Sequence, residues 1–404
     1  MNRRRFLETA LMLATTPNAS ADPTGRRRPQ GAALTLFLCG DVMTGRGIDQ
    51  ILPHPDDPRL YEPWVSDAGT YVRLAEAANG PIPRRVDPAY IWGDALEILK
   101  VAAPDARIVN LETAVTRGGT AWEGKDIHYR MHPDNIACLT AAGLDCAALA
   151  NNHVLDWGLA GLDETLHTLH RAGIRTAGAG RDRDAAQAPA VLDVPGQGRL
   201  LVFSLGLGDS GIPAEWCATP QRPGVARMED LSAHTVQQMA GLIARVRRPR
   251  DLVLLSIHWG GNWGYRVPLE HRRFAHALVE EAGVDLVHGH SSHHPKGLEV
   301  WKGKLILYGC GDFLNDYEGI EGYEEFRGDL SLLYLPTLDL RSGRLLALDM
   351  HPLQMRRLRL NRATPQDARW MWEVLARESA ALDTEIRLDA DGCLRWARFG
   401  IGSA

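Results

Sequence analysis

The 404-residue sequence lacks a basic excess: Lys and Arg total 45 against 50 Asp and Glu, for a formal net charge of -5. Nucleic-acid binders usually carry the opposite balance, which argues against such a partner. Lysine is scarce, with Lys100, Lys125, Lys296, Lys302 and Lys304 the full set. Arginine supplies the rest of the positive charge, and the bias carries no functional reading. No stretch reaches the roughly 18–20 apolar residues needed to cross a bilayer, so no transmembrane helix of its own is expected. The six cysteines (Cys39, Cys138, Cys146, Cys217, Cys310 and Cys393) include no C-x-x-C pair, and most sit in apolar runs such as LFLCG and LYGCG. They read as small buried hydrophobes, not as a disulfide framework. A helix–Ala-Gly–strand junction recurs at Ala142-Gly143, Ala172-Gly173 and Ala282-Gly283, but its irregular spacing excludes a solenoid.

What is present fits a globular chain. Hydrophobic residues make up 45% and charged residues 24%, an ordinary balance that allows a core of good size. Residues 1–21 read differently. Arg3-Arg4-Arg5-Phe6-Leu7, a short apolar stretch and Ala19-Ser20-Ala21 have the order of a secretory leader, and the arginine pair resembles a bacterial twin-arginine signal. The expectation is an exported protein, periplasmic or associated with the cell envelope; a disordered basic leader on a cytoplasmic protein is the alternative. Residues 22–32 read as a linker, and 33–404 as one α/β domain.

Within that domain, apolar runs end abruptly in polar residues. ALTLFLC (33–39) stops at Gly40-Asp41, ARIVN (106–110) at Glu112, and CAALA (146–150) at Asn151-Asn152-His153. LVLLSI (252–257) stops at His258, VDLV (284–287) at His288-Gly289-His290, and KLILYG (304–309) at Gly311-Asp312. Helices are expected between them over 133–142, 159–172 and 268–282, with glycine closing each. After about residue 328, strands joined by hairpin-like turns and a helix over about 364–381 are expected to extend the same domain.

Ligands of an open α/β sheet collect beyond the carboxyl ends of its strands. That rule gathers Asp41, Glu112, Asn152, His153, His258, His288, His290 and Asp312 on one rim, with His293 and His294 following. Singly, each reads as a turn residue or a cap. Five strands that all end in metal-competent side chains point instead to a divalent ion. Carboxylate, amide and imidazole donors without thiolate suit Mn²⁺, Zn²⁺ or Fe²⁺ better than Mg²⁺, and they argue against a structural zinc knot. Arg46 and Arg130, the latter beside His128 and Tyr129, are candidates for an anionic substrate group, with a surface salt bridge as the alternative. Trp259, Trp263 and Tyr265 are candidates to wall a groove, with core packing as the alternative.

The motifs GDVMTGR (40–46), NLE (110–112), NNH (151–153), HWG (258–260), GHSSHHP (289–295) and YGCGDF (308–313) resemble the CapA family of poly-γ-glutamate biosynthesis proteins. In fold, that family belongs to the calcineurin-like metallophosphoesterase superfamily. The resemblance spans about residues 33–330. It implies two β-sheets flanked by helices and one or two divalent metal ions. Position by position, it implies Asp41, Glu112, Asn152, His258 and His290 as metal ligands. His153 and His293 become the proton-handling residues, although His290 and His293 both match the histidine pair of the last motif and their division between metal binding and proton transfer stays open. Met43 stands where the superfamily has histidine, and Ser291 and Ser292 interrupt the last motif, so the second metal position departs from the pattern. Asp312 stands where Asn is frequent, and no ligand role is assigned to it.

Three functions follow from the resemblance. The first is metal-dependent hydrolysis of a phosphoester, with His153 protonating the leaving oxygen. The second is epimerisation at the α-carbon of a peptide or polyglutamate, with His153 and His293 as the acid/base pair. The third is a non-catalytic accessory subunit beside a membrane synthase.

Overall fold

The apolar runs are apolar on both faces, and the reason lies in four packed layers. The structure, a computed structural model, describes residues 33–194 and 198–397. The expected signal and linker at 1–32 lie outside the described residues. In the strand Ala33–Val42, Leu34, Leu36 and Leu38 enter one apolar cluster while Phe37 and Cys39 enter another. In Leu252–His258, Leu252 and Leu254 enter that same first cluster, and Val253, Leu255 and Ile257 enter a third. Side chains alternate across a strand, so both faces need apolar residues when both are covered. The shared cluster lies between two sheets, and each outer cluster lies under helices. Every fully buried leucine or phenylalanine contributes about 1.5–3 kcal/mol relative to exposure.

The first sheet has ten strands. Its main path runs Ile386–Leu388, Leu394–Trp396, Leu345–Met355, Leu330–Asp339, Ala33–Val42, Ala106–Leu111, Cys146–Ala148, Arg175–Ala177. The second has six, in the order Leu298–Trp301, Lys304–Leu307, Leu286–His290, Leu252–His258, Gly198–Gly206, Ala190–Val194. Strands 33–42, 106–111, 146–148 and 175–177 are mutually parallel, as are 198–206, 252–258, 286–290 and 304–307. Their carboxyl ends therefore meet along one edge of the sandwich. The C-terminal strands pair directly onto Ala33–Val42, which leaves that strand in the interior of its sheet. The helix Pro365–Ala380 starts where Thr364 accepts from the Asp367 backbone N–H and Pro365 follows it. Its Met371 and Leu375 join the inter-sheet cluster.

Several boundaries differ from expectation. The run 146–150 stops being a strand at Ala148, because Leu149 to Asn152 turn over the sheet edge toward the site. The helix expected over 133–142 is two pieces, Pro133–Asn135 and Ala137–Ala141. The helix expected over 268–282 changes from α to π winding at Leu278 before Gly283 closes it. Five of the six cysteines are buried and Cys217 is half-buried. Among the described residues, no helix is long and apolar enough to cross a membrane.

Candidate metal centre

Strand register brings the site together. The Cα partner of Asp41 is Asn110 on one side and Asp312 on the other. Across the second sheet, His258 pairs with His290, and Ser256 with His288. Gly40 permits the approach, since a Cβ there would collide with the Gly311 carbonyl, which accepts from the Asp41 backbone N–H at 2.9 Å. Beyond the second sheet, Ser291 holds the left-handed conformation (φ 96°), which costs a non-glycine about 1–3 kcal/mol. Two hydrogen bonds hold it: its backbone N–H to Asp41 Oδ2 at 3.2 Å and its hydroxyl to the Gly260 carbonyl at 2.9 Å.

The first sheet supplies carboxylates. Asn110 donates to Asp41 Oδ1 at 2.7 Å and to Glu112 Oε2 at 3.0 Å. Its own carbonyl accepts from Asn151 at 3.0 Å. Burial, then the nearby Asp312, pushes the Asp41 carboxyl up to about 7. Burial and Asp41 raise Glu112 well above the usual carboxylate range. Desolvation disfavours the charged form, and like charges add to it.

The second sheet supplies imidazoles, and hydrogen-bond logic fixes their tautomers. His288 Nε2 lies 2.7 Å from the Cys39 carbonyl, which only accepts, so Nε2 carries the proton and Nδ1 is bare. The Ser256 hydroxyl, 3.1 Å from that Nδ1, donates to it. Ser256 then accepts from His290 Nε2 at 2.8 Å, which leaves His290 Nδ1 bare. His258 Nε2 donates to Asn152 Oδ1 at 3.1 Å, so its Nδ1 is bare too. These two Nδ1 atoms face each other at 2.8 Å, and Asp41 Oδ1 lies 3.9 Å from His290 Nδ1. Two lone pairs at that distance repel unless a cation or shared proton lies between them. Burial holds both imidazoles well below their ordinary pKa, and the neutral ring is the form that ligates. Among the described residues, Asp41, His258 and His290 form a group of three whose ligand atoms lie within 4.8 Å of one another. The donor set fits a divalent ion such as Mn²⁺, Zn²⁺ or Fe²⁺. Glu112 stands next to the trio, its Oε1 3.9 Å from His258 Nε2.

Two histidines flank the trio, each with a carboxylate behind it. His153 Nδ1 donates to Asp156 Oδ2 at 2.6 Å, and its Nε2 lies 3.8 Å from Glu112 Oε1. Burial outweighs Asp156 and brings the His153 pKa down to about 4. His293 Nδ1 lies 2.8 Å from Asp312 Oδ1. Burial alone would lower His293, but the charge of Asp312 outweighs it and raises the pKa. Both rings keep some exposure, 10% and 14% of their side chains, and mark where the site opens.

Three sequence expectations are corrected. Arg46 is not placed to meet a substrate anion: it is 4% exposed and pairs with Glu62 at 2.9 Å and Asp316 at 2.5 Å, under the ring of Tyr71. Arg130 pairs with Asp56 at 3.1 Å and stacks on Trp157. Trp259 is 2% exposed, stacks between His271 and Tyr308, and donates to the Tyr308 carbonyl at 3.0 Å. Trp263 does stand at the site, 5.2 Å from the His293 ring and stacked on Tyr323. Met43 is buried, and its sulfur accepts from the Tyr317 hydroxyl at 3.5 Å. Sequence reasoning missed Asn110, Lys125, Asp156, Ser256 and the pairing of Asp312 with His293. Asn110 lies inside the NLE motif, Asp156 three residues after His153, and Ser256 two residues before His258 on one strand, so these were within reach; Lys125 and the pairing of Asp312 with His293 are joined to the site only by tertiary packing.

Known proteins bear on this geometry. The family model described as Bacterial capsule synthesis protein PGA_cap matches residues 35–317. A protein of Mycobacterium tuberculosis named as a probable polyglutamine synthesis accessory protein is 46% identical over 362 residues, 89% of this chain and 95% of that protein. The capsule biosynthesis protein CapA of Bacillus anthracis is 26% identical over 287 residues, 70% of this chain and 60% of its own length. Among solved structures, a phosphatase from Mycoplasma pneumoniae aligns over 80% of this chain and 94% of its own, with a TM-score of 0.43 and 13% identity.

Proposed function

This chain belongs to the PGA_cap family of bacterial capsule synthesis proteins, and from that membership we propose that it is a divalent-metal-dependent hydrolase of phosphoesters serving poly-γ-glutamate or related envelope-polymer biosynthesis. The observation that carries the reading is the trio of Asp41, His258 and His290, with two bare imidazole nitrogens and a buried carboxylate facing one point. Asp41, His258 and His290 would hold one ion tightly, with Glu112 and Asn152 beside it; a second ion would be held more weakly. Such an ion supplies Lewis acidity toward a phosphoryl or carbonyl oxygen.

The chain's own residues do the rest. Ser256 and Asn152 orient the two ligating rings through their Nε2 protons. Asp156 fixes His153 with Nε2 toward Glu112, where the bare nitrogen would first accept a proton from the attacking water and then pass it to the leaving oxygen. The leader-like order of residues 1–21 is the support for export to the cell envelope. In the test, purified protein loaded with Mn²⁺ or Zn²⁺ is given a generic aryl phosphate. Hydrolysis is expected, and His153→Ala should reduce kcat by about 10²–10⁴-fold while metal content stays level. Absence of hydrolysis by the wild type sinks the reading.

A second reading has its own support: His153–Asp156 and His293–Asp312 flank the trio as two separate imidazole–carboxylate pairs. Two proton-handling groups are what inversion of an α-carbon requires. Deuterium uptake at that carbon of a glutamyl peptide in heavy water would replace the hydrolase with an epimerase. Polymer formation that survives Asp41→Ala combined with His258→Ala would instead favour an accessory role, as the mycobacterial relative's name states for that protein.

A further inference from the structure

Lys125 lies on the loop before the short strand Arg130–Met131, far in sequence from any site motif. Its ammonium donates to Asp156 Oδ1 at 2.6 Å and to the Ile127 carbonyl at 3.2 Å. It also sits 2.9 Å from His153 Nδ1. Asp156 is completely buried. Its other oxygen takes the His153 Nδ1 proton at 2.6 Å and the Tyr129 backbone N–H at 2.7 Å. The Tyr129 ring stands edge-on to His153 with ring centres 4.5 Å apart.

An sp² ring nitrogen has one in-plane direction: it either donates through N–H or accepts through its lone pair. At Nδ1 the two neighbours ask for opposite states. The Asp156 oxygen is nearer and only accepts, so Nδ1 carries the proton, and the ammonium turns its hydrogens to Asp156 and Ile127. This arrangement holds only while Asp156 is a carboxylate. Lys125 is the cation paired directly with it, and a buried carboxylate deprived of its counter-charge tends toward the protonated form.

We propose that Lys125 is a positioning residue for His153: by pairing with Asp156 it maintains the carboxylate that fixes the ring with Nδ1–H inward and a bare Nε2 toward Glu112 and the reacting group. This rests on the reading of His153 as the proton-handling residue. Without the lysine, Asp156 can take up a proton and donate to Nδ1, and the ring no longer has a single tautomer. The same ion pair joins the bonds from the Trp122 and Tyr129 backbone N–H groups to Asp156 in tying the loop that carries Lys125 to the turn that carries His153.

The test uses the full chain with ¹⁵N-labelled histidine, the His153 signals being those lost in His153→Gln. Wild type should give one protonated and one bare ring nitrogen, with the proton on Nδ1. Lys125→Met should shift both signals toward tautomer-averaged values, and Lys125→Arg should restore the wild-type pattern at least in part. A fixed Nδ1–H signal in Lys125→Met overturns the proposal, as do averaged tautomers in the wild type, which needs no variant to fold. Kinetics with the aryl phosphate form the second arm. Lys125→Ala should lower kcat by about 10–100-fold with KM changed less than about threefold, and ethylamine should recover part of the loss. A wild type without activity would end the hydrolase reading, while the spectra would still decide the role of Lys125.

Discussion

The two rims of the site are built from opposite chemistry. The first sheet contributes Asp41, Glu112 and Asp312; the second contributes Ser256, His258, His288 and His290. Burial treats them symmetrically, since it raises the carboxyls of Asp41 and Glu112 and lowers the imidazoles of His258 and His290. Each rim is thus driven toward neutrality, and within the trio the carboxylate and the imidazole do not hydrogen-bond: Asp41 Oδ1 lies 3.9 Å from His290 Nδ1. The rims also differ in how they are held. Asn110 bridges the Asp41 and Glu112 carboxylates of the first sheet, whereas His290 is fixed by a directional chain from the Cys39 carbonyl through His288 and Ser256. A metal centre needs both, because charge gives affinity and tautomer control gives geometry.

Breaking one member of each rim is the strongest test. Asp41→Ala or His258→Ala should each leave the purified protein without retained metal, counted by elemental analysis, against one tightly held ion per wild-type chain. Equal metal content in wild type and variants would refute the shared site. A smaller effect is expected one contact further out. Ser256→Ala removes the acceptor that orients His290 and should weaken metal affinity by about 10–100-fold, read from competition with a chelating dye. Unchanged affinity would show that the His288–Ser256 chain is structural only.

The smallest effect separates the rims by pH in the metal-free protein. Asp41 titrates at about 7 in the fold against an ordinary 3.8, so its contribution is present below about pH 4 and is lost as pH rises through 7. His258 and His290 lie below their ordinary 6.5, so their contribution is present above that value and is lost as pH falls. Asp41→Asn removes the first dependence and keeps the second. Its melting temperature should therefore gain on the metal-free wild type steadily from pH 4 to 7. A constant difference across that range would contradict the placement of the Asp41 carboxyl.

Much of this was legible in the residues alone. Apolar runs ending in Asp41, Glu112, His258 and His290 announced an α/β fold with a polar rim, because a buried parallel sheet demands apolar strands and leaves its carboxyl ends for ligands; the two-sheet sandwich was implied by the family resemblance. The misreadings have one cause. Arg46 and Trp259 lie within motifs and Arg130 follows His128 and Tyr129, but whether a side chain faces solvent or a buried partner depends on what packs over it, and Glu62, Asp56 and Tyr308 come from elsewhere in the chain. Sequence by itself determined the fold class, the family and the donors that strand ends carry. Tertiary structure alone decided which nitrogen each histidine presents, that Asp312 backs His293, and that Lys125 stands behind His153. Periodicity and strand ends are local properties of the chain; hydrogen-bond direction and counter-charge are properties of neighbours brought together by folding.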